Sequence, residues 1–406
     1  MRFLLLNQCF HPDVMATAQQ LTDLAVGLRE KGHEVTVVTS DRGYDNPAQR
    51  FPRRETWQGI DIIRISSLSL GKQRRWRRAV NFASFMTTCS LRLLRLPKFD
   101  AVVALTSPPL ISFLGSAFTR LKGGKFYFWV MDLNPDEAVA AGWLRDGSAS
   151  ARFLQRLLRS SLEHAETVIA LDQFMKDRIV AKGIAAESVT VLAPWAHDDK
   201  VWFDQKGREA FRQQHQMDQS FVVMYAGNHS PCHPLDTLME AAHRLTARKD
   251  IVFVFVGGGS EQQRVRDFAE AHGLDNIRCL PYQRFEDLAA TLSAADLHTV
   301  VMGDAFVGIV HPSKIYNLVT IGSPFLYVGP AESHITQIAG RINGGGSAFV
   351  ARNGDVEAVV DHIVRLSTSG RQAGRHHFPA IANSFSRQTL LPQMIEILEA
   401  EGPEPS

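Results

Sequence analysis

Short apolar runs alternate with amphipathic stretches along this chain, and the pattern occurs twice. That alternation predicts an α/β fold of two Rossmann-like, doubly wound parallel-sheet domains. Two further observations support it. At 406 residues the chain is longer than one compact core usually allows. Midway, Pro194-Trp195-Ala196-His197-Asp198-Asp199 interrupts the pattern, as an interdomain linker or a plain surface loop does. The expected division is residues 1–197 and 198–384, with a last helical segment, 385–406, crossing back onto the first domain.

In the first half, Arg2–Leu6 is a short apolar strand. Ala18–Lys31 places Leu21, Leu24, Ala25 and Leu28 on one helical face, and Gly32 ends it. Glu34–Thr39, Ile60–Ile65, Ala101–Leu105, Lys125–Val130, Thr167–Ala170 and Val189–Leu192 continue the strands. Helices are expected at about 79–96, 110–121, 150–163 and 173–182 between them. The second half repeats the scheme. Strands fall at Val222–Ala226, Ile251–Val256, Ile277–Leu280, Leu297–Val301, Phe325–Val328 and Ala348–Val350. Helices fall at Leu235–Thr246, Glu261–His272, Phe285–Ala294 and about 355–368, with a last one at Leu390–Glu399.

Composition narrows the function. An apolar content of 45% with 21% charged residues is that of a soluble globular protein. Cys9, Cys89, Cys232 and Cys279 form no Cys-x-x-Cys pair, which argues against a disulfide framework or zinc knuckle and suits a reducing cytoplasm. The apolar start, Met1–Leu6, is too short for a signal peptide, and no long uncharged run reads as a membrane span. Residues 1–198 carry 26 Lys/Arg against 19 Asp/Glu, so the first half is basic and is expected to face something anionic.

The chemistry should gather at loops on the carboxyl rim of the second sheet. Gly257-Gly258-Gly259 follows an apolar strand and permits close backbone approach, or is simply a tight turn. Tyr225–Pro231 and Pro281-Tyr282-Gln283-Arg284 follow neighbouring strands. His311-Pro312-Ser313-Lys314 puts a hydroxyl and one compact cation at a helix start, which suits phosphate or merely caps a helix. His229 and His233 are four apart, but Pro231 and Pro234 oppose a helical metal pair; His229 is preferred as a donor near phosphate and His233 as a helix-start residue. The first strand is followed by Asn7-Gln8-Cys9-Phe10-His11-Pro12-Asp13, without the glycines of a dinucleotide fingerprint, and no Walker-type Gly-Lys-Ser/Thr occurs.

Two features remain in the first half. Gly71-Lys72-Gln73-Arg74-Arg75-Trp76-Arg77-Arg78 precedes an amphipathic helix, so Arg74, Arg75, Trp76, Arg77 and Arg78 are candidates for facing an anionic membrane surface. Nucleic-acid binding and a solvated loop are the alternatives, and no nucleic-acid partner is expected. Asp132-Leu133-Asn134-Pro135-Asp136-Glu137 ends an apolar strand, where Asp132 is positioned either to orient a hydroxyl or to cap a helix.

In this order the segments resemble family 4 glycosyltransferases of the GT-B fold. Those carrying the resemblance are Phe10–Asp13, Lys31–Val37, Thr106–Pro109, Asp132–Pro135, Val256–Gly259 and Pro312–Tyr316. The nearest subgroup assembles O-antigen, colanic acid and other exopolysaccharides. The resemblance implies two Rossmann-like domains facing across a cleft. It implies a retaining, metal-independent transfer from a nucleotide-diphosphate sugar to a membrane-associated, lipid-linked glycan acceptor, with no cofactor, at the cytoplasmic face of the inner membrane. By position, Asn228, His229, Ser313, Lys314 and Thr17 would contact the diphosphate; Gly257, Gly258, Gly259, Tyr282, Gln283 and Asn317 would surround the nucleoside. His11 and Asp13 would lie on the acceptor side, and Lys314 and Asp132 would be catalytic. Many members carry two Glu residues before their Gly-x-Pro segment; Ile309 and Asn317 stand there in this sequence. A non-catalytic sugar-nucleotide-binding or scaffold protein, and a sugar-nucleotide epimerase, are the alternatives.

Overall fold

The computed structural model describes residues 1–13, 15–43, 48–68, 75–342, 347–369 and 378–400. The chain falls into two compact units: Met1–Pro194 joined by the segment from Leu390 onward, and Trp195–Thr389. The division therefore falls three residues earlier than 197, and the returning segment starts at Leu390 rather than 385. Hydrogen bonding accounts for the first shift. The Ala196 amide donates to the Phe385 carbonyl and the His197 amide to Asn317 Oδ1, both within the second unit.

The first unit contains β1 (Arg2–Leu6), α1 (Ala16–Glu30), β2 (Glu34–Ser40), β3 (Arg54–Trp57) and β4 (Ile60–Ile65). It continues through α2 (Arg75–Leu94), β5 (Ala101–Ala104), α3 (Ile111–Lys122), β6 (Lys125–Trp129) and α4 (Asp136–Ala140). After α5 (Ala149–His164), β7 (Thr167–Ala170), α6 (Gln173–Ala181) and β8 (Val189–Val191), the chain leaves for the second unit. The sheet order is β3-β4-β2-β1-β5-β6-β7-β8, parallel except for β3 on β4. The central strands β1 and β5 are buried on both faces, as continuous apolar runs dictate.

The second unit opens with α7 (Gln205–Gln214), β9 (Phe221–Asn228), α8 (Asp236–Arg244), β10 (Ile251–Gly258) and α9 (Gln262–Ala271). β11 (Ile277–Leu280), α10 (Leu288–Ser293), β12 (Leu297–Val301), α11 (Lys314–Thr320) and β13 (Phe325–Val328) follow. It closes with α12 (His334–Ile342), β14 (Ala348–Ala351), α13 (Val356–Thr368) and α14 (Pro379–Ser384). Its sheet is wholly parallel, in the order β11-β10-β9-β12-β13-β14. The last helix, α15 (Arg387–Glu399), starts in this unit and packs its buried Leu390, Leu391, Met394, Ile395 and Leu398 once the chain has rejoined the first.

Several elements depart from the sequence expectation for identifiable reasons. β3 is polar and lies at an edge, pairing with β4 through a turn at Gln58-Gly59 whose two residues have φ of 49° and 76°. α7 has little apolar surface; beside Phe211 its inner face is made by Arg208 and Arg212, buried against Asp296. α4, α12 and α14 are short helices that the sequence expectation left out, although α12 buries Ile335, Ile338, Ala339 and Ile342 along one face. Phe285–Ala294 is a 3₁₀ turn followed by α10. β9 and β10 run further than expected, through Asn228 and Gly258. Among the described residues, no helix is long and apolar enough to cross a membrane.

Candidate functional site

The rim of the second sheet is built by a close approach of two strand ends. Gly227 of β9 stands opposite Gly257 of β10, and Asn228 opposite Gly258. A Cβ on Gly257 would lie 2.0 Å from the Gly227 carbonyl oxygen, and one on Gly259 would lie 2.2 Å from that of His229. Their φ values of 135° and 133° also lie where side chains are strained. These glycines are therefore required by backbone meeting backbone, not by a wide turn. Gln262 secures the rim, its amide donating to the Gly257 carbonyl at 2.8 Å, and the His229 amide donates to Gly258 at 2.7 Å.

Lys314, the first residue of α11, reaches this junction. Its Nζ lies 3.7 Å from the centroid of the Tyr225 ring, and a Cβ on Gly227 would come within 2.8 Å of it. The ammonium is buried and makes no hydrogen bond among the described residues. Burial lowers its pKa to about 7. Ser313 precedes it without bonding its side chain to the helix start. Tyr225 anchors the platform by donating its hydroxyl to the Asn228 carbonyl at 2.7 Å.

The two histidines nearby are neutral at physiological pH. His229 is fully buried against Tyr225 and Phe255, with neither ring nitrogen in a well-formed hydrogen bond. Its burial first, then the Lys314 charge, lowers its pKa to about 4. His233 is lowered to about 3 for the same two reasons, and its Nδ1 lies 2.8 Å from the Val301 carbonyl. Tyr282, 45% exposed, lies over Gly258, and its hydroxyl donates to that carbonyl at 3.4 Å. Gln283 donates to the Pro281 carbonyl. Asn317 accepts the His197 amide at 3.2 Å, so its carbonyl end holds the start of the second unit. Ile309 is buried. The structure thus brings Asn228, His229, Gly257–Gly259, Tyr282 and Lys314 to one rim. Gln262, absent from the sequence reading, and Tyr225, read there only as the first residue of a rim loop, complete it.

In the first unit, Asp132 follows β6 beside Thr106, whose Oγ1 faces its amide at 3.3 Å. Burial, then the Glu137 carboxylate, raises its pKa. Glu137 accepts from Asn134 at 2.8 Å, while Asp136 is tied to Lys182 at 2.6 Å and to Gln155. His11 stacks on Trp57 with centroids 4.0 Å apart, and its carbonyl accepts from Arg64. The Asp13 amide donates to Phe10, and Thr17 lies in the first turn of α1. Arg74 lies outside the described residues, as do the side chains of Arg75, Trp76 and Arg78; Arg77 is half-buried.

Two mainly parallel-sheet α/β units, the second with a cation at its rim, have the architecture of the GT-B fold. Residues 16–195 match the glycosyl transferase 4-like domain and residues 207–310 the glycosyl transferases group 1, and the two matches together mark the chain as a GT-B glycosyltransferase. It is 25% identical over 378 residues to the putative colanic acid biosynthesis glycosyl transferase WcaI of Escherichia coli K12, covering 89% of this chain and 91% of that one. It is thus a glycosyltransferase of polysaccharide biosynthesis. Its fold matches sucrose-phosphate synthase from Thermosynechococcus elongatus at a TM-score of 0.76 and 13% identity, over 98% of both chains. It also matches Anabaena HepE, solved with UDP and glucose, at 0.73 and 15% identity over 99% of this chain and 100% of that one.

Proposed function

We propose that this chain is a retaining, metal-independent glycosyltransferase moving a sugar from a nucleotide-diphosphate sugar to a lipid-linked glycan acceptor. It requires no cofactor and works peripherally on the cytoplasmic face of the inner membrane. The observation that carries the donor reading is Lys314, a buried ammonium without a hydrogen-bond partner among the described residues, at a glycine-lined sheet rim. A buried charge in that position is stabilised by an anion. HepE, with the same fold, was solved with UDP-glucose, which supports a nucleotide-sugar donor.

As the sugar–phosphate bond lengthens, negative charge gathers on the departing diphosphate and positive charge on the sugar ring. Lys314 meets the first, with Asn228 and Ser313 as donors nearby. A fixed cation needs no reorganisation at that moment, which is why it accelerates the step. Asp132 orients the acceptor hydroxyl, its raised pKa making the ionised carboxylate a stronger base.

Lys314→Ala should lower kcat by on the order of a hundredfold. Turnover within a few-fold of wild type would remove Lys314 from the mechanism. Asn317, held by His197, and the apolar Ile309 favour a second reading, a non-catalytic sugar-nucleotide-binding protein. Tight nucleotide binding without turnover in any acceptor mixture would select it, whereas slow nucleotide release from the donor would select the enzyme. Action on the donor alone, changing its sugar, would select an epimerase.

A further inference from the structure

From Ile62 to Met131 the sequence contains a single acid, Asp100, against 12 Lys and Arg residues. That segment includes α2 and α3, whose carboxyl ends meet: the Lys122 ammonium donates to the Leu94 carbonyl at 3.2 Å. At this junction three leucines face solvent, Leu91 at 52% exposure, Leu94 at 58% and Leu121 at 73%. Leu91 and Leu94 lie three apart on α2 and so share one face of it. Arg95, Lys98 and Lys122 are exposed beside them, and the Lys98 stem runs along Gly123. Asp100, the one acid of the segment, turns its carboxylate to the Arg2 amide at 2.7 Å and is outnumbered by these cations.

Exposed leucines with flexible cations around them have the composition of a surface that dips into a lipid headgroup layer. The apolar tips enter the acyl boundary while the amines stay with anionic headgroups. An acidic protein would satisfy the charge but not the leucines, and a neutral apolar partner would satisfy the leucines but not the charge. We infer that the α2–α3 carboxyl-end patch, Leu91, Leu94 and Leu121 with Arg95, Lys98 and Lys122, docks this protein on an anionic lipid bilayer. This rests on the peripheral-membrane reading above and gives it a surface. α2 is about 30 Å long at 1.5 Å per residue, so the patch lies far from Arg77 in its first turn.

The test is cosedimentation of the full chain with vesicles of phosphatidylcholine alone or with phosphatidylglycerol, at low and high salt. Wild type should bind the anionic vesicles and release as salt rises. Leu91→Ser/Leu94→Ser/Leu121→Ser should lower partitioning at least tenfold. Arg95→Gln/Lys98→Gln/Lys122→Gln should do the same, since each cation near such a surface strengthens binding roughly fivefold. As these side chains are exposed, the variants should keep wild-type circular dichroism. Leu94→Trp supplies a gain of signal, a blue-shifted emission on adding anionic vesicles. Unchanged binding by both triple variants, with loss only when Arg74, Arg75, Arg77 and Arg78 are neutralised, would overturn the patch but leave the membrane reading standing. No binding by wild type would overturn both. A variant that changes from dimer to monomer while binding vesicles normally would show a self-association surface and overturn the lipid assignment.

Discussion

Lys314 loses most of its hydration on folding and gains a ring face rather than an acceptor. Its pKa of about 7 lies below the usual lysine value because burial disfavours the charge. A diphosphate beside it favours the charged form and raises that value. Between pH 7 and the raised value, nucleotide binding should therefore take up a proton, and affinity should fall as pH rises. Calorimetry with UDP or GDP at pH 8, in buffers of different ionisation enthalpy, should show that uptake in wild type and not in Lys314→Met. No buffer dependence would place the nucleotide away from Lys314. In the unliganded protein the unfolded lysine holds its proton up to about pH 10.5. Stability should accordingly rise with pH across that window. The histidines act on the acid side: His229 and His233, lowered to about 4 and 3, withdraw stability as pH falls below 6.5. Asp132→Asn should reduce turnover by about a hundredfold with little change in donor affinity, a split that separates acceptor chemistry from donor binding. Full activity would free Asp132 of its role.

β9 and β10 end together because glycine removes the side chains that would hold them apart. Gly257→Ala places a Cβ against the Gly227 carbonyl at a φ of 135°. Backbone strain alone costs about 1–3 kcal/mol. Thermal unfolding should register it, and nucleotide affinity should fall with it; an unshifted melting curve would mean that the strands part cheaply. This junction was only half legible in the sequence. The glycines and their place after apolar strands could be read, but the sheet continues through them, because strand ends are set by the partner strand. Lys314 was legible from its neighbours Pro312 and Ser313; Tyr225 was read as part of a rim loop, but its ring lying under the lysine was not, since an aromatic residue at the end of an apolar strand reads as core. α7 escaped for the opposite reason. Its buried face is a single Phe211 between Arg208 and Arg212, and only the fold reveals that Asp296 and the Ser293, Ala294 and Ala295 carbonyls receive the two arginines. β3, with alternating half-buried positions and two charges, gives no apolar signal at all.

Two sheets, parallel but for β3 and read from period and punctuation apart from that strand, organise the described residues, and the last helix belongs with the first unit. α15 packs Leu391 and Ile395 on Gly27 of α1, where a Cβ would come within 3.1 Å of both. Glu399 meets His33 at 2.6 Å, and the Ala400 carbonyl accepts from Lys125. Leu398→Ala, removing a fully buried side chain, should cost about 2–5 kcal/mol. Hydrogen exchange should locate that loss in α1 and β2 and leave β9 and β10 protected; deprotection of the second sheet instead would contradict the division. The same connection sets an order of birth. A ribosome releases β1 before the second unit and α15 after it, so the second unit has all its strands outside the exit tunnel before the first can receive its closing helix. Newly made chains should therefore present the complete second sheet while α1 still exposes the surface around Gly27. The unit begun earliest in translation is the one completed latest.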